Sequence, residues 1–373
     1  MDQISDVIII GSGPAGLSAA AALKKKNVTP LVLEEKKQAG DSWRRHYDCL
    51  ELNSIKQLSN LPFTKMSKSY PRYPTRDQMV EYFTGYEKTH DIAPKYGVKV
   101  KSIEKSESAW KIISDTEEYR ARNVVIATGL NRTPKRITIE GMNEYNGEII
   151  HSSEYKTGKN YSGKKVLVVG GGSSASDIAK DLVEHNAQVD LSLRGPIHVT
   201  PLELLGVPAQ VTSILLAKLP LGIADRLANT ALGLRYGDLN KYGISKPKVG
   251  PISQIVKQQK VPLFDRGVIT LIKKNRIKVY PSISRLTENK AVFSNNRENE
   301  YDLIVLATGY TTGLEEILPK ERNLIDESGK PEQTACDVGG GLYFLGFKDS
   351  PRGLLYEINQ EALKIVETIG KSN

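Results

Sequence analysis

An α/β fold of two Rossmann-like dinucleotide-binding domains is predicted by three observations. A strand, a glycine-rich turn and a helix open the chain. The same pattern returns at Lys165-Val-Leu-Val-Val169 followed by Gly170-Gly-Gly172-Ser173-Ser174-Ala175. Two further short strands end in the same tripeptide, Ala127-Thr128-Gly129 and Ala307-Thr308-Gly309. At 373 residues the chain is long enough for two domains that each bury a core.

The first unit begins with Asp6-Val-Ile-Ile-Ile10, a β-branched run that stops at Gly11, and residues 17–23 read as helix. Between them Gly11-Ser12-Gly13-Pro14-Ala15-Gly16 has G-x-G-x-x-G spacing. Gly11 permits the tight turn, Gly13 lets the backbone approach a pyrophosphate, and Gly16 lets helix and strand pack closely, while the helix N-terminus attracts the anion. Lys24-Lys-Lys-Asn27 ends the helix, with cations at the negative end of its dipole. The next strand, residues 30–33, stops at Glu34, whose carboxylate can accept hydrogen bonds from a ribose diol.

A loop follows with Gly40-Asp-Ser42-Trp43 and Leu50-Glu-Leu-Asn53. Trp43 can lie against an isoalloxazine or adenine ring, and the Asn53 amide can hydrogen-bond a flavin-linked oxygen. On composition alone the plainer reading, Trp43 in the core and Asn53 in a turn, is the stronger. Thr75 and Gln78 have capping-box spacing for a helix that starts between them. Residues 145–155 carry no long helical or strand pattern and separate the two fingerprints, so they read as a hinge between two nucleotide sites.

In the second unit the turn at Gly170, Gly172, Ser173, Ser174 and Ala175 leads into a helix over residues 177–185. The strand after it, residues 188–193, ends in Arg194 where the first unit has an acid. A guanidinium suits a 2′-phosphate that a carboxylate would repel, so the first site reads as FAD and the second as NADPH; otherwise Arg194 simply tops a strand and faces water. The two Ala-Thr-Gly turns put small residues and backbone amides where the chain passes close to a cofactor or crosses between domains. Residues 196–251 are irregular, either a roof over a substrate cavity or an ordinary helical cap. Strands resume near residues 277–280, and a final amphipathic helix runs over residues 354–369, with backbone amides near Gly353 and Leu354 suited to the pyrimidine edge of a reduced flavin. The resulting division is an FAD-binding domain over residues 1–157, an NADPH-binding domain over 158–304 with a helical insertion at about 200–260, and a return segment of the FAD domain over 305–373. The NADPH domain is thus inserted in the FAD domain.

The formal charge of +9 comes from scattered Lys and Arg, which argues against nucleic acid and for anionic cofactors and substrates. Cys49 and Cys336 form no Cys-x-x-Cys pair, which points to a reducing compartment and excludes a redox dithiol. The strand pattern by Val7 leaves no room for a signal peptide, and Lys218 and Pro220 break the longest apolar patch, so a cytoplasmic protein with no membrane span is expected. The five histidines show no metal-ligand spacing, and hydrolase and Walker motifs are absent. Chemistry is therefore assigned to the flavin.

Taken together, these residues resemble the class B flavin-dependent monooxygenases, in particular the flavin-containing monooxygenases and their YUCCA-like branch. Tyr145-x-Gly147-x-x-x-His151-x-x-x-Tyr155-Lys156 is similar to that family's F-x-G-x-x-x-H-x-x-x-[F/Y] motif. Asn53-Ser-Ile-Lys56 resembles the Asn-Ser-x-Lys of flavin-containing monooxygenases, where plant YUCCA proteins have His in place of Asn. Tyr242 to Pro251 and Arg352-Gly-Leu-Leu355 look YUCCA-like. The resemblance implies that NADPH reduces FAD, that NADP⁺ stays bound, and that O₂ gives a C4a-(hydro)peroxyflavin beside Asn53, the catalytic residue. It implies a small organic substrate, either a 2-oxo acid such as indole-3-pyruvate or an oxidisable amine or sulfide. On this reading His151 orders the linker and is no catalytic base. The competing expectations are an NADPH-dependent flavin reductase serving a partner such as a ferredoxin, and a nucleotide-sensing protein without turnover. A homodimer is the association left open.

Overall fold

The computed structural model describes residues 4–107 and 109–372, and side chains to residue 370. The chain divides into two compact units, one comprising Met1–Arg45, Ser54–Thr133 and Tyr310–Asn373, the other His46–Asn53 and Pro134–Gly309.

In the first unit, apolar β-branched strands stack in parallel: Ile4–Ile10 lies between Leu31–Glu34 and Glu118–Ile126, with Ile8 opposite Leu31 and Val124. The strand Glu118–Ile126 serves two neighbourhoods. Its first half closes an antiparallel meander with Trp110–Ser114 and Val100–Lys105, and its second half pairs in parallel with Leu342–Phe344. Alternating burial in Trp110–Ser114 and the first half of Glu118–Ile126, and continuous burial in its second half, follow from one covered face against two. Helix Pro14–Lys24 is buried along nearly its whole length and packs on the final helix, Leu354–Ser372. Asn27, expected at the helix end, takes the left-handed conformation there at φ 61°. Thr75 and Gln78 form the full capping box on helix Arg76–Thr89.

The second unit is a five-stranded parallel sheet in the order Ile277–Tyr280, Gln188–Ser192, Lys165–Val169, Leu303–Leu306, Glu148–His151. Helix Ser173–Glu184 packs on it, and the insertion supplies helices Ala209–Leu216, Leu221–Tyr236 and Pro251–Gln258.

The break between the units differs from the expected one. Residues 134–157 belong to the second unit because Glu148–His151 is a strand of its sheet, with His151 opposite Leu306. Residues 145–155 are therefore no hinge. A run of four residues at a sheet edge is too short for a period to show in the sequence. Residues 46–53 join the same unit, since Asp48 N–H donates to Lys156 O at 2.9 Å and Tyr47 OH donates to Asp177 at 3.0 Å.

Candidate functional site

The two glycine turns are built alike. Gly11 N–H donates to Leu33 O at 2.7 Å in the first unit, and Gly170 N–H to Ser192 O at 3.0 Å in the second. Both glycines have positive φ, 103° and 150°. A Cβ on Gly11 would lie 2.7 Å from Ala127 O, and one on Gly170 would lie 2.3 Å from Ala307 O. In each unit the first fingerprint glycine therefore rests on the backbone of an Ala-Thr-Gly tripeptide, which forms its floor. Gly16 is equally constrained, for its Cβ would meet Gly11 O at 1.8 Å.

Gly13 and Gly172 behave differently, since a Cβ on either meets nothing within 4 Å. Each is the N-cap of a helix, Pro14–Lys24 or Ser173–Glu184, and neither helix has a side-chain cap. Each helix therefore presents uncapped N–H groups at its positive dipole end to open space, the arrangement that accepts a pyrophosphate. Polar atoms without protein partners lie close by in sequence: Thr128 Oγ1 in the floor of the first turn, and Ser176 Oγ just after the second turn. The residues present fit two dinucleotides.

Around the first turn, Glu34 Oε2 accepts from Ser12 N–H at 2.6 Å and Ser12 Oγ–H at 2.9 Å, and Oε1 accepts from Lys36 N–H. A carboxylate accepts about four hydrogen bonds, so this still leaves Oε1 capacity for a hydroxyl. Gly40 N–H donates to Ser12 O at 3.3 Å, which seats the short helix Asp41–Arg44, with Ser42 exposed and Trp43 edge-on to Phe83, beside the turn. Gly353, at φ 88°, precedes the final helix, and Glu357 in that helix's first turn accepts from Arg352 Nε–H at 2.9 Å and Ser350 Oγ–H at 2.6 Å. The first unit thus gathers Gly11, Ser12, Gly13, Pro14, Ala15, Gly16, Glu34, Ser42, Trp43, Thr128 and the Gly353–Leu354 helix start, and Asn53 falls to the other unit.

In the second unit Arg194 is exposed two residues beyond strand Gln188–Ser192. It lines a cavity of about 740 Å³ together with Lys241, Tyr242, Lys278, Tyr280 and Arg297. Four cations around one cavity give it a positive potential that would attract an anion.

The Tyr145–Tyr155 motif ties this unit together. Tyr145 OH donates to Tyr301 O at 2.6 Å, and a Cβ on Gly147 would strike the Tyr145 ring at 2.6 Å. His151 Nδ1 accepts from Ser153 N–H at 3.1 Å, so Nε2 carries the proton toward Gly309 O at 3.1 Å. Burial lowers the His151 pKa and favours this neutral tautomer. Tyr155, fully buried, donates to Asp181 Oδ2 at 2.6 Å, and Gly158 N–H donates to the same oxygen at 2.7 Å.

Asp181 and Asp177 are two acids on the buried face of the second fingerprint helix. Sequence reading overlooked both, although acids four apart in an otherwise apolar helical face are a usable signal of buried polar partners. Burial raises the Asp177 pKa to about 6 against the opposing pull of Arg266. Arg266, also overlooked, donates from Nη2 to Asn53 Oδ1 at 3.1 Å. Among the described residues no group of three or more His, Cys, Asp or Glu could hold a metal, and no helix is long and apolar enough to cross a membrane.

Two uncapped glycine turns, each followed by its own strand and each resting on an Ala-Thr-Gly floor, define an oxidoreductase architecture for two dinucleotides. Residues 8–201 match the model of the pyridine nucleotide-disulphide oxidoreductase family. The chain is 34% identical to indole-3-pyruvate monooxygenase YUCCA1 of Oryza sativa subsp. japonica, over 98% of this chain and 91% of that one. It is likewise 34% identical to indole-3-pyruvate monooxygenase YUCCA6 of Arabidopsis thaliana, over 99% and 91% of the two chains. The fold matches a flavin-containing monooxygenase from Stenotrophomonas maltophilia with a TM-score of 0.76 at 18% identity, over 100% of this chain and 99% of that one. The chain belongs to the pyridine nucleotide-disulphide oxidoreductase family and, within it, to the class B flavin-dependent monooxygenases.

Proposed function

We propose that this monooxygenase uses FAD and NADPH to convert a 2-oxo acid of the indole-3-pyruvate class to the carboxylic acid one carbon shorter. The overall balance is 2-oxo acid, O₂, NADPH and a proton giving acid, CO₂, NADP⁺ and water. The pairing of an acid, Glu34, beside the first open turn with a base, Arg194, beside the second is the observation that carries the cofactor reading. The two indole-3-pyruvate monooxygenases above supply the substrate class.

When bound, the flavin takes a hydride from NADPH and activates O₂; the protein's part is to hold and orient. Gly11, Ser12, Gly13, Pro14, Ala15 and Gly16 would seat the FAD pyrophosphate, with Glu34 on its ribose and Ser42, Trp43, Ala127, Thr128 and Gly129 around it. Gly353 and Leu354 would offer helix N-terminal amides to the flavin. Gly170, Gly172, Ser173, Ser174 and Ala175 would seat the NADPH pyrophosphate over the floor of Ala307, Thr308 and Gly309. Arg194, with Lys241, Lys278 and Arg297 on the same cavity, suits the 2′-phosphate. Asn53 presents its Nδ2–H₂ as donor, because its Oδ1 is already taken by Arg266.

A second reading, N- or S-oxygenation, draws on Asn53 standing where plant YUCCA proteins have His. Purified FAD-loaded protein assayed with NADPH separates the two. Indole-3-pyruvate should yield its acid and CO₂ in step with NADPH consumed. An N-oxide or S-oxide from a tertiary amine or thioether, with no acid from the 2-oxo acid, would establish the second reading instead.

A further inference from the structure

We infer that Arg266 is a positioning residue for Asn53, holding the amide in the single orientation that presents its Nδ2–H₂ as donor. This rests on the reading of Asn53 as the residue beside the reacting oxygen.

The Arg266 side chain is only 12% exposed, and its fork grips three consecutive residues. Nη1 pairs with Glu51, while Nη2 donates to Leu52 O at 3.1 Å and to Asn53 Oδ1 at 3.1 Å. An amide has one acceptor and one double donor, so a cation on the oxygen decides which end faces away from it. Behind the guanidinium lies Asp177, with Oδ1 3.7 Å from Nε and only 4% of the residue exposed. Asp177 Oδ2 in turn accepts from Tyr47 OH at 3.0 Å, within the same 46–53 segment that ends at Asn53.

The backbone that delivers Arg266 is held as firmly. It follows strand Leu263–Asp265, paired in parallel with Val199–Pro201. Asp265 Oδ1 accepts from Gly267 N–H at 2.8 Å and Ile269 N–H at 3.2 Å, and its Oδ2 accepts from Tyr236 OH at 3.0 Å. Gly267, at φ 115°, makes the turn into helix Val268–Lys273 that a side chain would strain. A guanidinium fixed at its base and flanked by two acids reaches the loop in one way. Lysine in its place is a point charge that cannot hold Glu51, Leu52 O and Asn53 Oδ1 together.

The test compares Arg266→Lys, Arg266→Ala, Asn53→Ala and the Asn53→Ala/Arg266→Ala double variant as FAD-loaded enzymes. Hydrogen peroxide released per NADPH consumed is normalised to the rate of anaerobic flavin reduction by NADPH in the same variant. The second readout is the Asn53 side-chain amide resonance in ¹⁵N-Asn-labelled protein without cofactor, assigned by its loss in Asn53→Ala. Arg266→Lys is expected to raise the peroxide fraction about five- to ten-fold, the scale of one ordinary net hydrogen bond, and to lower the heteronuclear NOE of the Asn53 amide. The double variant should leak no more than Asn53→Ala alone, since the two residues act through one group. Arg266→Lys keeps a charge beside Asp177, so the comparison stands even where Arg266→Ala does not fold. Wild-type coupling and an unchanged amide in Arg266→Lys, with Asn53→Ala leaking, would overturn the Arg266 role alone. Additive leak in the double variant would do the same. Wild-type coupling in Asn53→Ala would overturn the Asn53 reading first, and the positioning role with it.

Discussion

Arg194 and Glu34 occupy matching places after matching turns and differ in charge, and on the proposed reading that difference would select the cofactor at each. Arg194→Ala removes a guanidinium from a cavity that keeps Lys241, Lys278 and Arg297. The KM for NADPH should rise about 10- to 100-fold, from ~1.5–3 kcal/mol for a hydrogen bond to a charged group, while that for NADH moves by less than about three-fold. Equal changes for both nucleotides in steady-state kinetics would refute the phosphate role. Asn53→Ala should divert NADPH oxidation from product to hydrogen peroxide while flavin reduction persists, read from peroxide per NADPH. Both residues were legible as candidates, Arg194 from its place after the second fingerprint strand and Asn53 from the family resemblance of Asn53-Ser-Ile-Lys56. Arg266 was not: 213 residues separate it from Asn53, and only the folded chain brings donor to acceptor. Nothing in Phe264-Asp265-Arg266-Gly267 marks its arginine apart from other surface cations until its burial is known.

At the scale of elements, each fingerprint has one glycine packed against backbone and one facing open space, which on the proposed reading divide between folding and binding. Gly170→Ala puts a Cβ against Ala307 O at 2.3 Å and should destabilise the protein by about 1–3 kcal/mol, the usual cost of overpacking. Gly172→Ala meets nothing within 4 Å, so the thermal midpoint should hold while NADPH affinity falls. Calorimetry paired with nucleotide titration reads both, and a stable Gly170→Ala or an NADPH-competent Gly172→Ala would count against the assignment. The strand–turn–helix units were legible from apolar runs and glycine spacing, as was the capping box at Thr75. The stretch around His151 was misjudged, because its strand is short and finds its partner at Leu303–Leu306, far along the chain. Its histidine now has a structural task with a pH signature. Burial holds the folded-state pKa below the ordinary 6.5, so the unfolded chain takes up the proton first as pH falls. The stability His151 contributes is therefore fully present above 6.5 and is lost as the pH drops through the folded value. His151→Gln should flatten the fall in thermal midpoint on acidification below 6.5, with His90 and His198, also lowered by burial, retaining part of the slope. An unchanged slope would show that the buried imidazole is not what the acid attacks.

Across the whole molecule, two α/β units repeat one solution: a set of parallel strands, extended in the first unit by an antiparallel meander, an uncapped helix start and an Ala-Thr-Gly floor. The repetition was visible in the sequence as paired glycine turns. Where one unit ends and the other begins was not visible, because residues 46–53 and 134–157 take their unit from hydrogen bonds to distant strands and helices. Such an architecture serves reductases as well as oxygenases, and Cys49 and Cys336, both free, offer no dithiol to a reductase of the disulfide type. What distinguishes an oxygenase is the destination of the oxygen atoms. The most direct measurement is therefore turnover of FAD-loaded protein with NADPH and indole-3-pyruvate under ¹⁸O₂, following the carboxylate product by mass spectrometry. One ¹⁸O atom in each acid molecule, with CO₂ and NADP⁺ formed in equal amounts, is the expected result; NADPH consumed with all the oxygen recovered as hydrogen peroxide and no labelled product would contradict the monooxygenase account.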